Sequence, residues 1–168
     1  MLMRSVSLSL ALAFWNSMAR APLIALIAGE TSGDQLGGWL MAALKANQPQ
    51  LRFIGIGGAN MEAQGLHSLF PMREIALMGF AEILPHIVKL TRRIRETIAF
   101  IEREQPDILV TIDSPGFVLR VVSALRARGI ARPKFVHYVA PTVWAYKPER
   151  AKKMAANFDH LLCLLPFE

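Results

Sequence analysis

The predicted fold opens with a short apolar run, a glycine-rich turn and then apolar residues at helical spacing. The run covers residues 23–28, and the turn reads Gly-Glu-Thr-Ser-Gly-Asp at 29–34. The residues at helical spacing are Leu36, Trp39, Leu40, Ala43 and Leu44. A continuous apolar run is typical of a strand that is buried on both faces of a parallel sheet. Strand, glycine turn and helix form the first half of a βαβ unit, so the pattern predicts an α/β fold.

The same alternation continues along the chain and predicts six strands in all. The further strands are expected at residues 52–56, 66–70, 108–112, 134–139 and 160–165. Helices are expected at residues 60–64, 86–104, 117–128 and 149–157, with Pro85 interrupting the chain before the second of them. Strands that alternate with helices favour one parallel sheet flanked by helices. In such sheets ligands bind beyond the carboxyl ends of the strands.

Composition agrees with one folded domain and narrows the choice of partners. The 168 residues are 53% hydrophobic and 19% charged, which is the composition of a folded protein. The formal net charge of +6 favours an anionic partner such as a phosphate, a nucleotide or an acidic lipid. Nucleic acid is not expected, because the basic segment lacks interleaved aromatic residues. The single cysteine, Cys163, excludes an internal disulfide and is expected to be buried in the last strand.

Residues 1–20 lie outside this pattern. They contain one early arginine and a mostly apolar stretch from Val6 to Trp15, which is too short to span a bilayer. A second methionine, Met18, stands shortly before the first predicted strand. The flanks are weak for an export signal, so residues 1–20 are interpreted as an N-terminal extension or a misassigned start. The domain is then expected over residues 21–168.

The turn at 29–34 has two interpretations, and the residues leave both open. Ser32 or Asp34 could cap the following helix, whose free backbone N–H groups favour an anionic ligand. The two glycines would let that ligand approach the backbone closely. On the other hand, most turns between a strand and a helix contain glycine and a capping residue and bind nothing. The turn is neither a G-x-G-x-x-G fingerprint nor a P-loop.

Further polar residues accompany the later strands. Asp113 comes directly after the strand at 108–112, where a carboxylate is well placed to act as a general base. Its alternative role is to cap the helix that follows. His137 lies in the next strand, and Trp144 and Tyr146 come after it as either a ligand wall or a loop plug. No spacing of Cys, His and carboxylate residues indicates a metal site.

Residues 72–104 combine an apolar cluster with a basic amphipathic helix. One interpretation is a membrane patch, with apolar residues dipping into lipid and arginines beside anionic head groups. The alternative for residues 87–101 is a crossover helix that packs on the sheet and leaves a solvated basic face. The residues assigned to the membrane patch are Met72, Ile75, Leu77, Met78, Phe80, Ile83, Leu84, Arg92 and Arg93.

Taken in order, seven stretches of the chain resemble the lipid-A-disaccharide synthase family. They are Ile-Ala-Gly-Glu-Thr-Ser-Gly-Asp at 27–34, Gly-Ile-Gly-Gly at 55–58 with Met61, Met-Gly-Phe-Ala-Glu-Ile-Leu at 78–84, Ile-Asp-Ser-Pro-Gly-Phe at 112–117, His-Tyr-Val at 137–139, Pro-Thr-Val-Trp-Ala at 141–145 and Leu-Pro-Phe-Glu at 165–168. Each stretch alone is modest, but the ordered set is specific and spans residues 22–168. Thr142 stands where the family more often has serine, and both residues carry a hydroxyl.

The resemblance implies a Rossmann-like domain, the N-terminal half of a GT-B glycosyltransferase. Residues 21–168 would be the acceptor-side domain, and the C-terminal donor-binding half would be absent from this chain. The implied reaction, in lipid A and lipopolysaccharide biosynthesis, joins UDP-2,3-diacylglucosamine to 2,3-diacylglucosamine 1-phosphate. Its products are lipid A disaccharide 1-phosphate and UDP. The transfer is inverting and implies neither a cofactor nor a metal, and a fragment of this kind is expected to be inactive alone.

The resemblance also implies roles for single residues, with Asp113 as the catalytic base. The residues implied to bind substrate are Glu30, Thr31, Ser32, Gly33, Asp34, Gly58, His137 and Trp144. Acylated substrates imply a peripheral membrane enzyme, cytoplasmic and bound at the inner face of the inner membrane. The alternative is a nucleotide- or phosphate-binding flavodoxin-like module without catalysis. The sequence leaves the oligomeric state open.

Overall fold

The structure, a computed structural model, describes residues 21–76, 83–130, 132–140 and 149–164. Within those residues five strands form one sheet, and their pairings are all parallel. In chain order the strands are β1 (Leu23–Ala28), β2 (Arg52–Ile56), β3 (Ile108–Ile112), β4 (Lys134–Tyr138) and β5 (His160–Leu162). Across the sheet they lie in the order β2-β1-β3-β4-β5. The predicted Rossmann-like parallel sheet flanked by helices is confirmed.

Helices connect the strands and cover both faces of the sheet. They are α1 (Thr31–Asn47), α2 (Ala59–Glu62), α3 (Arg73–Ala76), α4 (Ile83–Glu104), α5 (Pro115–Ala127) and α6 (Glu149–Asn157). Alternate residues of β1 belong to two core clusters, one on each face. The first cluster includes Met41 of α1 and Met61 of α2. The second includes Ile98 of α4, Val121 of α5 and Met154 of α6, so β1 is buried along its whole length.

Gly55 lies at the closest approach of β2 to β1. Its φ of +140° is a backbone conformation that residues with a side chain rarely adopt. A Cβ at this position would collide with the carbonyl oxygen of Leu26 in the paired strand. The pairing of Leu26 with Gly55 therefore depends on the absence of a side chain.

The predicted strand at 66–70 is wrong, because the structure has only a single bridge there, between Gly55 and Ser68. The Ser68 hydroxyl donates to the carbonyl of Phe70 (2.7 Å) and accepts the N–H of Gly57 (3.2 Å). A side chain that satisfies nearby backbone groups in this way competes with strand pairing. The chain bends at this point instead of adding a strand.

The start of α4, the end of β5 and the burial of Cys163 also differ from the predictions. Helix α4 begins at Ile83, so Pro85 lies within its first turn, where a missing N–H costs no helical hydrogen bond. Strand β5 ends at Leu162, opposite Tyr138, where its partner β4 also ends. Cys163 therefore follows the strand and is exposed, and its predicted burial is wrong.

Candidate functional site

The carboxyl ends of the strands meet at one edge of the sheet. Parallel pairing sets Ala28 of β1 opposite Ile112 of β3, and Ile112 opposite Tyr138 of β4. The segments that follow these strands therefore leave the sheet side by side. From β1 the chain moves to β2 on one side, whereas β3 lies on the other side. Such a switch point leaves a crevice beyond the strand ends, which is where open α/β sheets bind ligands.

The first glycine turn, residues 29–34, follows β1 at this edge of the sheet. Gly29 is buried, and a Cβ there would collide with Ser114 Oγ and lie 3.0 Å from Ile75 Cγ2. Glycine thus lets the segments after β1 and β3 touch. Three predicted substrate-binding residues follow and are exposed, namely Glu30, Thr31 and Ser32. Among the described residues, the N-cap residue Glu30 makes no side-chain capping bond to α1, and the N-terminus of a helix is favourable for an anionic ligand.

Asp34, predicted to cap α1 or to bind substrate, caps a different helix. Its carboxylate is 2% exposed and accepts the N–H groups of Gly58 (2.8 Å), Asn60 (3.0 Å) and Met61 (3.1 Å). It also accepts the side-chain amide of Asn60 (2.8 Å). Burial alone would raise the pKa of Asp34, but these hydrogen bonds outweigh burial and hold the pKa below its ordinary value. Glu30 holds the N-cap position of α1, so the predicted capping of α1 by Ser32 or Asp34 is wrong, and Asp34 instead caps α2.

Gly33 and Gly58, also predicted to bind substrate, lie on either side of Asp34. Gly33 is buried in the first turn of α1, where a Cβ would lie 3.5 Å from the carbonyl oxygen of Ile112. Gly58 is half-buried at the N-cap position of α2, and a Cβ there would lie 2.9 Å from Asp34 Oδ2. Trp144 and Tyr146 fall outside the described residues, so the role of Trp144 in substrate binding stays a prediction.

Asp113 and Ser114 have strained backbone conformations directly after β3. Their φ values are +53° and +47°, in the left-handed region that residues with a side chain seldom adopt. Such residues cost on the order of 1–3 kcal/mol each and persist only where the surrounding structure fixes them. Asp113 is half-buried, and its N–H lies 3.4 Å from the carbonyl oxygen of Tyr138. Strain of this kind clusters at active sites.

The alternative role of Asp113, as a cap for the next helix, is not observed. Ser114 holds the N-cap position of α5, and its carbonyl oxygen accepts the N–H groups of Phe117 (3.1 Å) and Val118 (3.2 Å). No side chain caps this helix among the residues that the structure describes. The Asp113 carboxylate is thus not used to begin α5.

His137 lies just below this edge, within β4. It is 1% exposed, its Nδ1 is 2.7 Å from Thr111 Oγ1 in β3, and its ring centroid is 5.0 Å from that of Phe158. Burial lowers the pKa of His137 to about 4, although the negative charge of nearby Asp113 opposes this shift. The imidazole is therefore neutral near pH 7. Its side chain is shielded from solvent, and its role in substrate binding stays a prediction.

Stability is expected to fall at mildly acidic pH because of His137. The unfolded chain binds a proton there with an ordinary pKa of 6.5, whereas the folded chain excludes it until the pH nears 4. The free energy of unfolding should therefore decrease as the pH is lowered through this window. Urea unfolding at about pH 7 and about pH 5 measures the effect, and His137→Gln should lose this part of it. An unchanged pH dependence in the variant would contradict the assignment.

The structure corrects two residues of the predicted membrane patch. Ile75 is 6% exposed and belongs to the core, because α3 turns it inward against the first glycine turn. The Arg93 guanidinium donates to Glu74 (2.8 Å) and Glu96 (2.5 Å) and lies 4.5 Å from the ring centroid of Phe70. Its charge is therefore paired within the chain and is not free for lipid head groups.

The remaining residues of the membrane patch have mixed outcomes. Met72 is half-buried and packs against the core, whereas Arg92 is exposed on α4. Leu77, Met78 and Phe80 fall outside the described residues, as do the side chains of Ile83 and Leu84. Among the helices described, none combines the length and the apolar character that crossing a bilayer would need.

Three residues that shape the edge were missed from the sequence. Thr111 contacts His137, and Ser114 contacts Gly29. Asn60 donates to Asp34. Thr111 offered a signal, because it is the one polar residue in the strand Ile-Leu-Val-Thr-Ile. Nothing in a single sequence pairs residue 60 with residue 34.

A separate cavity of about 510 Å³ opens at the amino ends of the strands, away from the crevice. Its lining residues are Ile101, Glu102, Gln105, Ile130 and Arg132, and no predicted site residue is among them. In the described ranges no group of three or more His, Cys, Asp or Glu residues is arranged to hold a metal ion.

Curated relatives of the chain are named lipid-A-disaccharide synthase. The chain is 53% identical over 148 residues to the protein from Granulibacter bethesdensis and 56% identical over 147 residues to the one from Paramagnetospirillum magneticum. The alignments cover 88% and 87% of this chain but 37% of each relative. The chain thus spans little more than a third of the length of these relatives.

Solved structures share the fold at low sequence identity. A protein from Listeria monocytogenes, provisionally described as a UDP-N-acetylglucosamine 2-epimerase, superposes with a TM-score of 0.56 at 13% identity. The match covers 86% of this chain and 39% of that one. A structure of MnaA from S. aureus with UDP gives a TM-score of 0.51 at 10% identity, over 84% of this chain and 37% of that one. At such identities the similarity establishes the fold alone.

A protein-family model covers nearly all of the described chain. It is the model for lipid-A-disaccharide synthetase, and it matches residues 24–168. The match includes the first glycine turn, Gly57, Gly58, Asp113 and His137, and it leaves residues 1–20 outside. This chain therefore belongs to the lipid-A-disaccharide synthetase family.

Proposed function

We propose that this chain is the acceptor-side part of a lipid-A-disaccharide synthase, an inverting glycosyltransferase. The reaction joins UDP-2,3-diacylglucosamine to 2,3-diacylglucosamine 1-phosphate and releases UDP. Family membership supports a role in lipid A glycosyl transfer. The chain covers 37% of its relatives, so the donor site is proposed to lie in the remaining length that those relatives have. We call a protein that contains both the acceptor-side part and the donor part the full-length enzyme.

The position of Asp113 carries the proposal. It stands at the switch-point crevice between β1 and β3, on strained backbone, and its carboxylate does not cap α5. An inverting transfer needs a base beside the acceptor hydroxyl, and an aspartate carboxylate at the crevice provides one. Strain that local helix capping does not explain is the kind that functional sites retain.

In the proposed step the acceptor hydroxyl attacks the anomeric carbon of the donor sugar. Asp113 accepts the hydroxyl proton as the new glycosidic bond forms. The bond between the anomeric carbon and the UDP oxygen breaks, and UDP leaves with its electron pair. The negative charge that develops on UDP requires stabilising donors, which the proposal assigns to the donor part of the full-length enzyme.

The acceptor is proposed to bind at the first glycine turn. Glu30, Thr31 and Ser32 are exposed there, next to the Gly29–Ser114 contact that brings β1 and β3 segments together. The uncapped N-terminus of α1 suits an anionic group such as the phosphate of the acceptor. These features support an acceptor site and do not require a metal.

Acylated substrates make a membrane location part of the proposal, with the enzyme cytoplasmic and peripheral at the inner face of the inner membrane. On α4, Val88 is 73% exposed and Arg92 is exposed one turn further along. An apolar residue beside an exposed arginine suits the boundary between acyl chains and anionic head groups. With Ile75 and Arg93 internal, the proposed membrane contact is smaller than the sequence predicted.

Substrate-dependent UDP release tests the function. The full-length enzyme should release UDP from UDP-2,3-diacylglucosamine only when the acylated glucosamine phosphate is present, and mass spectrometry should detect the disaccharide phosphate. The chain of residues 1–168 alone should give no turnover, because the donor site is assigned elsewhere. Turnover by this chain would contradict the assignment of the donor site to the other part of the enzyme. No transfer by the full-length enzyme would contradict the proposed reaction.

A further inference from the structure

Asp34 connects the two glycine-rich segments of the carboxyl edge. It belongs to the first turn of α1, yet all its partners lie in the second glycine turn, residues 57–61. We propose that Asp34 is a positioning residue that fixes the second glycine turn against α1 and so shapes the acceptor side of the crevice. This inference rests on the proposed function of that crevice.

Both carboxylate oxygens of Asp34 are fully used. Oδ1 accepts the N–H groups of Gly58 (2.8 Å) and Met61 (3.1 Å), and Oδ2 accepts the N–H (3.0 Å) and the side-chain amide (2.8 Å) of Asn60. A carboxylate can accept all four bonds, since it has two oxygens and no proton to place. An asparagine at this position would turn an NH₂ group toward the donors on Asn60 and leave buried groups unpaired.

The contact between α1 and the second glycine turn is also tight. A Cβ at Gly38 would lie 3.1 Å from the carbonyl oxygen of Asn60, and a Cβ at Gly58 would lie 2.9 Å from Asp34 Oδ2. Small residues on both sides therefore let the backbones meet, and Asp34 supplies the polar link between them. The position of the turn relative to α1 is set by this one side chain together with close packing.

Asp34 also decides which of two neighbouring helices can receive an anion. The carboxylate occupies the N-terminal N–H groups of α2, as an internal anion. At α1, by contrast, the N-cap residue Glu30 makes no side-chain capping bond. One aspartate therefore closes the second glycine turn to an anionic ligand and leaves the first turn open. Asp34 acts on the substrate through this arrangement and does not touch it.

Kinetics of Asp34→Asn in the full-length enzyme test the proposal against a matched control, Asp159→Asn. The Asp159 carboxylate likewise accepts a backbone N–H, that of Phe135 (2.8 Å), and pairs with Arg126 (2.9 Å), but it lies at the amino edge of the sheet. Asp34→Asn should raise KM for the acylated glucosamine phosphate about tenfold relative to the control. Its kcat and its KM for the UDP-sugar should change much less.

Hydrogen exchange gives a readout that does not depend on activity. In residues 1–168, the peptide covering 57–62 should exchange faster in Asp34→Asn than in the wild type, and should be unchanged in Asp159→Asn. The double variant Asp34→Asn with Asn60→Asp returns a carboxylate to the pair, with the amide now at position 34. It should recover part of the protection of peptide 57–62 from exchange and part of the wild-type KM for the acylated glucosamine phosphate. Asn60→Ala removes one of the four bonds and should also speed the exchange of peptide 57–62 and raise the KM for the acylated glucosamine phosphate, each by less than Asp34→Asn does. This variant tests the proposal if Asp34→Asn does not fold.

Two results would overturn the inference: an acceptor KM in Asp34→Asn that equals that of Asp159→Asn, or unchanged exchange in peptide 57–62. If the wild-type full-length enzyme shows no transfer, the proposed function has failed, and the exchange measurement alone then decides whether Asp34 fixes the turn. Faster exchange supports the link in that case, and unchanged exchange rejects it.

Discussion

Asp113→Ala in the full-length enzyme is expected to lower kcat by about 10²–10⁴-fold, the usual contribution of a general base. The carboxylate stands at the switch-point crevice, and the substitution removes the group that is proposed to accept the proton of the acceptor hydroxyl. The measurement is UDP release at saturating concentrations of both substrates. Thermal unfolding of the same preparation shows whether the fold is intact.

Asp113→Asn separates the chemistry of this residue from its backbone. Asparagine adopts the left-handed conformation at φ +53° about as readily as aspartate, so the turn after β3 should be preserved. Because the amide cannot act as a base, Asp113→Asn should lose as much kcat as Asp113→Ala. Near-normal turnover in Asp113→Asn would reduce Asp113 to a residue of the turn and would direct the search for the base to Glu30 or His137.

Gly55→Ala should destabilise the fold by about 2–6 kcal/mol, through overpacking of about 1–3 kcal/mol and backbone strain of similar size. The new methyl group would collide with the carbonyl of Leu26, which is backbone and cannot rotate away. The φ of +140° adds strain that an alanine cannot relieve within the strand. Urea unfolding followed by circular dichroism measures the loss, which is large enough to unfold a domain of marginal stability.

Gly116→Ala is the matched control for this substitution. Gly116 lies in the first turn of α5, and its φ is not positive. Apart from its chain neighbours and the backbone of its own helix, no atom of the described residues lies within 4 Å of a Cβ built there. The added methyl should leave stability unchanged or raise it slightly, because alanine favours helix over glycine. Equal stability of Gly55→Ala and Gly116→Ala would contradict the close approach of β2 to β1.

Strands of the sheet could be predicted where burial alone determines the pattern of hydrophobic residues. The apolar runs of β1 and β3 are buried on both faces, so their residues read as continuous hydrophobic segments and their positions are confirmed. The run at 66–70, Leu-His-Ser-Leu-Phe, is less apolar and fails as a strand, because the Ser68 hydroxyl bonds to the backbone nearby. A hydrophobic pattern does not show such local competition.

Site residues could be predicted where their place depends on a strand end. They could not be predicted where it depends on contacts between residues far apart in the chain. Asp113 follows an apolar strand, and that was enough to bring it to the carboxyl edge. Asp34 was assigned to α1 because capping is read from neighbours, whereas its partners lie 24, 26 and 27 residues away. Arg93 was assigned to a membrane patch because an amphipathic pattern does not reveal that Glu74 and Glu96 pair with its charge.

The pairing of β1 with β3 makes the crevice a product of long-range folding. The two strands are joined at their amino ends by a hydrogen bond from the Leu23 N–H to the Asp107 carboxylate, 84 residues apart in the chain. Contacts of such sequence separation form slowly, because loop closure must be achieved before they contribute. The crevice therefore forms only once the central sheet is complete, and a ligand that bound there would stabilise the whole domain by mass action and not one loop alone.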